Sequence, residues 1–188
     1  MARKTDRNGV LEICFDGDFA ERTFGVYAIR LIAKNGGSPR FIYIGKTGDN
    51  NPKYLPRSAI YRLGRHFHDK KATDNQIAVE IKKEGYNPGD FDIELRYVLL
   101  SFLAESVGLN IKGNRKKIKL VNLLESALIF DCRQRSRKAP RLINTDVISG
   151  RTRENKEREL ERNKLRGLYD ILKEYLFFER KDFNFISK

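Results

Sequence analysis

Two hydrophobic rhythms run along the chain, one of period two and one near 3.6, and they divide it into strands and helices. Phe24-Gly25-Val26-Tyr27-Ala28-Ile29-Arg30-Leu31-Ile32 and Arg40-Phe41-Ile42-Tyr43-Ile44-Gly45 are aromatic and β-branched runs. Lys34-Asn35-Gly36-Gly37-Ser38-Pro39 between them supplies turn geometry, which predicts a β-hairpin with a loose loop. Phe91, Ile93, Leu95, Tyr97 and Leu99 alternate with Asp92, Glu94, Arg96 and Val98, the pattern of a third strand with one buried face. Val10 to Phe15 reads as a further short strand after a polar, charged start.

Helical spacing begins at Ser58, an N-cap residue followed by Ala59, Ile60, Leu63 and Phe67 on one stripe. Gln76 to Glu84 predicts a second short helix, ended by Gly85 and by Pro88-Gly89. After a loop rich in Lys and Arg, Ile118 to Asp131 reads as a helix, with Leu120, Leu123, Leu124, Ala127 and Leu128 spaced as i, i+3, i+4. Arg133 to Thr145 has five basic residues and no acid around Leu142-Ile143-Asn144. From Arg151 dense charge gives way to Leu165, Leu168, Ile171, Leu172, Tyr175 and Leu176, which predicts one long helix over 151–178. No internal repeat or low-complexity tract is present.

Charge changes the picture most. Lys and Arg number 38 against 25 Asp and Glu, a formal net charge of +13, which points to a polyanionic partner. With 40% hydrophobic and 11% aromatic residues, the 188-residue chain is expected to fold as one domain with an appendage. No apolar run is long enough for a membrane span and the N-terminus has no secretory core, so a soluble, cytoplasmic protein is expected. Cys14 and Cys132 are too few and too far apart for a cysteine zinc site and read as reduced fillers.

Several residues invite a chemical reading beside a plainer one. Glu125 lies on an apolar helix between Val121 and Ile129, where a carboxylate is costly unless a cation meets it; the plainer reading is an edge residue paired with an arginine. Arg62 and His66, four apart on one helix, read as a shared face or simply a solvated one. Tyr27 and Tyr43 on adjacent strands are ordinarily core residues with hydroxyls at the rim.

Taken together, these positions resemble the GIY-YIG nuclease family. The resemblance rests on Gly25-Val26-Tyr27, then Tyr43-Ile44-Gly45 sixteen residues on, Arg62 and His66, Glu125, and Asn144, in that order over residues 24–145. The first motif departs from the family name by Val26 for Ile. The resemblance implies that Tyr27 and Tyr43 touch the attacking water and the scissile phosphate, with Arg62 holding the pentacovalent phosphate and Lys46 adding charge. It further implies that His66 assists proton transfer or phosphate binding, Glu125 is the single metal ligand and Asn144 closes the site. The loop from Tyr43 to Arg62 is long, so Arg57 and Arg65 compete for the arginine role. A tyrosine base requires a phenol acidified by nearby cations.

The implied fold is α/β, a small, mostly antiparallel sheet flanked by helices. An N-terminal arm (1–23), a nuclease core (24–148) and a C-terminal helical extension (149–188) are expected. The implied activity is Mg²⁺-dependent DNA endonuclease cleavage with one divalent ion per site, Mn²⁺ substituting. A stand-alone catalytic domain looks most like a type II restriction enzyme, working on double-stranded DNA as a homodimer. The apolar stripe of the last helix is a candidate interface. Alternatives are a repair or mobile-element nuclease reading DNA structure, and a non-cleaving basic DNA-binding protein. Between Glu105 and Thr145 ten basic residues (Lys112, Arg115, Lys116, Lys117, Lys119, Arg133, Arg135, Arg137, Lys138, Arg141) face three acids, and this excess is the expected phosphate-tracking surface.

Overall fold

The computed structural model describes residues 23–34, 39–48, 56–67, 76–100, 111–135, 140–144 and 153–177 of the protein. The expected strand at Val10 to Phe15, Cys14, Arg137 and Lys138 lie outside the described residues, as do the side chains of Lys112 and Arg135.

The two strands of the hairpin, β1 (Gly25–Ala33) and β2 (Pro39–Thr47), pair antiparallel with Tyr27 opposite Gly45 and Ile29 opposite Tyr43. On its other side β1 pairs antiparallel with β3 (Phe91–Leu99), Tyr27 facing Tyr97. A two-residue strand β4 (Arg141–Leu142), which the hydrophobic pattern is too short to mark, adds in parallel to β2. The order is therefore β3-β1-β2-β4 in a small mixed sheet, and the class is α/β.

Helices α1 (Ala59–His66) and α2 (Gln76–Lys83) cover one face of this sheet, closing over Tyr27, Ile29, Leu31, Phe41 and Phe91. Ser58 caps α1 by accepting from Tyr61 N, as its position predicts. Gly85, at φ +81, ends α2, with Tyr86 N donating to the Ile81 carbonyl, the left-handed stop that the sequence marks.

The other face, Val26, Ala28, Ile42 and Ile44, packs against α3 (Ile111–Arg135), α4 (Arg153–Arg162) and α5 (Arg166–Phe177). On β3, Phe91, Leu95, Tyr97 and Leu99 form the buried face that the alternation predicts, packed with Ala59, Ile77 and Ile81 of α1 and α2. As the edge strand β3 leaves Ile93 exposed, while Arg96 on the opposite face donates to the Tyr175 carbonyl of α5. Arg30, buried in the middle of β1, meets Glu94 at 2.9 Å, so its charge is paired.

Two helix boundaries differ from expectation. The basic stretch before Ile118 is helix rather than loop: Lys and Arg are good helix formers, and Asn114 and Lys117 are buried in phase with Ile118 and Val121. The long C-terminal helix is two helices. Lys164 takes φ 55, its N–H reaches the Glu161 carbonyl and the next N–H, of Leu165, reaches the Leu160 carbonyl. On a continuous helix Leu160 and Leu165 would point about 140° apart. The reversal turns both into the same core, beside Tyr169 and Leu172. Leu165 and Leu172 of the apolar stripe are thus buried within the domain with Leu168 and Tyr175 packed beside them, while Ile171 is left exposed.

Asn144 extends the short β4 ladder with its side chain. After Ile143 N donates to the Ile42 carbonyl, the Asn144 amide takes both groups of Ile44: Oδ1 accepts from its N–H (2.9 Å) and Nδ2 donates to its carbonyl (2.7 Å). Arg133 in turn donates to the Asn144 carbonyl. Asn144→Ala orphans two buried backbone groups and is expected to destabilise the protein by about 2–5 kcal/mol in urea unfolding. A loss below about 1 kcal/mol would deny the side chain this role.

Candidate functional site

Tyr27 and Gly45 are register partners, and the Tyr27 ring leans directly across Gly45. A Cβ at Gly45 would stand 2.5 Å from the hydroxyl oxygen, so only glycine lets the ring pass. The ring thereby reaches from β1 over β2 to α1, where its hydroxyl meets His66 Nε2 at 2.8 Å. Tyr43 packs on the same histidine, ring centroids 4.3 Å apart, and lies 6.3 Å from the Tyr27 ring. The same device repeats next door. The Tyr97 ring covers Gly25, which has no room for a Cβ, and its hydroxyl bonds Thr23 Oγ1.

Arg62 enters from α1 beside His66. Its Nη2 donates to the Gly48 carbonyl (3.1 Å), and Gly48 holds a left-handed φ of +115 that carries the chain away from β2. Arg57 and Arg65 instead lie against Tyr61 on the outer side of α1. Of the three competing arginines, Arg62 is the one set among the tyrosines and the histidine.

Burial governs the protonation of this group. The Tyr27 phenol is pushed well above its usual value by desolvation, reinforced by Tyr43 and Glu125 and opposed by Arg62. A cation-acidified phenol, required if Tyr27 itself is to ionise as base, is therefore overturned. His66 is depressed to about 4, chiefly by burial, then by Arg62 and Arg65. A protonated phenol beside a neutral imidazole has one arrangement that pairs the phenolic proton: Tyr27 donates to Nε2, leaving the imidazole proton on Nδ1. That Nδ1 is buried without a partner, and so is Arg62 Nε. Two buried N–H donors with no acceptor form a site that lacks an oxygen ligand.

The other expected residues sit on the opposite face of β2. Lys46 points toward α3, where its ammonium bonds Asn122 Oδ1 and lies 3.5 Å from Glu125 Oε2. Asn122, one turn before Glu125, carries no mark in the sequence beyond its i, i+3 spacing from the glutamate, and it was missed there. The two oxygens converge on a single cationic centre. Among the described residues no group of three or more His, Cys, Asp or Glu gathers. The donors thus fit a water-rich ion held by one carboxylate and one amide oxygen, and do not fit a closed protein cage. Glu125 reaches the first cluster through its charge on Tyr27.

The basic surface divides. Arg115, Lys116 and Lys119 are exposed along α3, whereas Lys117 is buried, Arg133 is committed to the Asn144 carbonyl and Arg141 pairs with Glu84. Cys132 is a buried thiol in no disulfide. No helix among the described residues is long and apolar enough to cross a membrane. Comparison of the chain with protein-family models, curated proteins and solved structures finds no match.

The depressed histidine makes stability depend on pH. Between pH 6.5 and about 4 the unfolded chain binds a proton at His66 that the folded chain refuses, so stability falls as pH falls through this window. The full contribution is about 3 kcal/mol. Wild type is expected to lose that much more than His66→Gln between pH 7 and pH 4 in urea unfolding. Parallel pH profiles would show that His66 does not titrate this way.

Proposed function

We propose that the chain is a nuclease of the GIY-YIG type that hydrolyses phosphodiester bonds in DNA. The observation that carries this reading is the pair of buried, unpartnered donors, Arg62 Nε and His66 Nδ1, beside the Tyr27 hydroxyl. Anionic phosphate oxygens are the acceptors that each of them lacks, and a chain of net charge +13 attracts a polyphosphate.

The chemistry follows from the protonation states. A water bonded to the Tyr27 oxygen gives up its proton to that oxygen as it attacks, while Tyr27 passes its own proton to His66 Nε2. The tyrosine is neutral before and after, so its raised pKa is no obstacle. His66 ends as an imidazolium with both nitrogens protonated, its Nδ1–H on the ring edge away from Tyr27, where another oxygen of the substrate backbone accepts. Arg62 offsets the charge that builds on the non-bridging oxygens. Glu125 and Asn122 would hold Mg²⁺, which would supply neutralisation of the leaving oxygen, and Lys46 adds positive charge beside them.

The form this reading takes is sequence-specific cleavage of double-stranded DNA by a homodimer, in the manner of a type II restriction enzyme. Purified protein incubated with plasmid and Mg²⁺ is expected to give discrete bands; a smear or junction-limited cutting assigns the chain to repair or mobile-element nucleases. Glu125→Gln and Arg62→Lys are each expected to lower cleavage by about 100-fold or more, since one removes the ion's charge partner and the other replaces a donor fork with a point charge. Glu125→Gln should still bind duplex within a few-fold of wild type in anisotropy titrations. Cleavage by either variant within tenfold of wild type removes that residue from the mechanism.

A further inference from the structure

Helix α1 carries two neighbouring columns of side chains at i, i+4 spacing. The inner column, Ser58, Arg62 and His66, belongs to the candidate site. The outer column is Arg57, Tyr61 and Arg65. Tyr61 is 49% exposed, and both guanidinia pack over its ring, with Arg57 Cζ 5.0 Å and Arg65 Cζ 5.8 Å from the centroid. Arg57 Nη1 also donates to the Tyr61 hydroxyl at 3.2 Å.

Two features set this column apart from an ordinary solvated helix face. No Asp or Glu occurs in residues 50–68, so Arg57 just before the N-cap and Arg62, Arg65 and His66 on the helix gather with no acid of the helix's own. Their field reaches the inner column, where Arg65 joins Arg62 in disfavouring protonation of His66. An exposed tyrosine with arginines over its ring also adds little to the core. Its effect is to order two long, flexible side chains in advance of binding, which lowers the entropy lost when they engage a ligand.

We propose that the Arg57–Tyr61–Arg65 column is a clamp for the phosphodiester backbone of the substrate strand. It grips phosphates flanking the one held at Arg62 and His66, and Tyr61 is the positioning residue that fixes the two guanidinia. This inference rests on the nuclease reading above. Because the arginines cover the Tyr61 ring, the column reads backbone rather than stacking on a base. Its contribution is therefore the same for every sequence.

The test is anisotropy of the full chain on a short labelled duplex and on the matching single strand, in EDTA, over a series of KCl concentrations. The Arg57→Gln/Arg65→Gln variant is expected to flatten the log–log salt slope on duplex by about two, close to 0.9 for each lost phosphate. Tyr61→Ala should keep most of the slope while binding about fivefold more weakly, and should raise KM without changing kcat. Tyr61→Phe, which retains the ring, should restore most of that loss. Tyr61 is exposed and Arg57 and Arg65 are half-buried, and unchanged melting temperatures show that the fold is intact. If wild type binds duplex and the double variant keeps the full slope, the clamp is overturned and the nuclease reading stands. If only the arginine variant matters and Tyr61→Ala matches wild type, the positioning role of Tyr61 is overturned. A wild-type chain that binds no DNA at low salt overturns both readings together.

Discussion

The hydrogen bond between the Tyr27 hydroxyl and His66 Nε2 is the interaction on which the candidate site depends. It ties the sheet to α1 and exists because Gly45 leaves a gap in β2 wide enough for a tyrosine ring. The helix in turn presents Arg62 one turn from the histidine, and the Gly48 carbonyl anchors that arginine beyond the end of β2. Each of these placements is fixed by backbone geometry.

Burial then decides the charge states. Desolvation keeps Tyr27 and His66 neutral: at Tyr27 only Arg62 opposes it, and at His66 Arg62 and Arg65 act in the same direction. A neutral pair joined by a hydrogen bond passes a proton along without building an exposed ion. Its cost is an unpartnered imidazole N–H and an unpartnered guanidinium N–H in the interior. Such atoms are rare in finished cores and are expected where a ligand completes the structure.

β2 serves two environments at once. Tyr43 and Gly45 face α1, Lys46 faces α3, and Ile44 between them is held by the side-chain amide of Asn144. That clasp keeps the tyrosine face and the Lys46–Glu125 face in fixed relation. The core behind it draws on α4 and α5, whose turn at Lys164 brings Leu160 and Leu165 onto α3. The C-terminal helices thus stabilise the site from a distance through packing.

By itself the sequence determined those features that arise from neighbours along the chain. The alternating runs set the hairpin and β3, Ser58 set the start of α1, and Gly85 set the end of α2. Tyr27, Tyr43, Arg62, His66 and Glu125 stood out because their order and spacing are local properties. Tertiary structure decided the rest, because it depends on residues far apart in the chain. Charge alone suggested a loop before Ile118, but buried Asn114 and Lys117 make it helix. A continuous apolar rhythm suggested one C-terminal helix, but a shared core requires a reversal at Lys164. Asn144 resembled a site residue, and its hundred-residue reach to Ile44 makes it part of a sheet. Asn122 gains meaning only from Lys46, which the fold sets between it and Glu125. The Tyr27 phenol, which would need acidifying cations to act alone as a base, is pushed up by burial, and the depth of burial belongs to the folded molecule and not to any stretch of sequence.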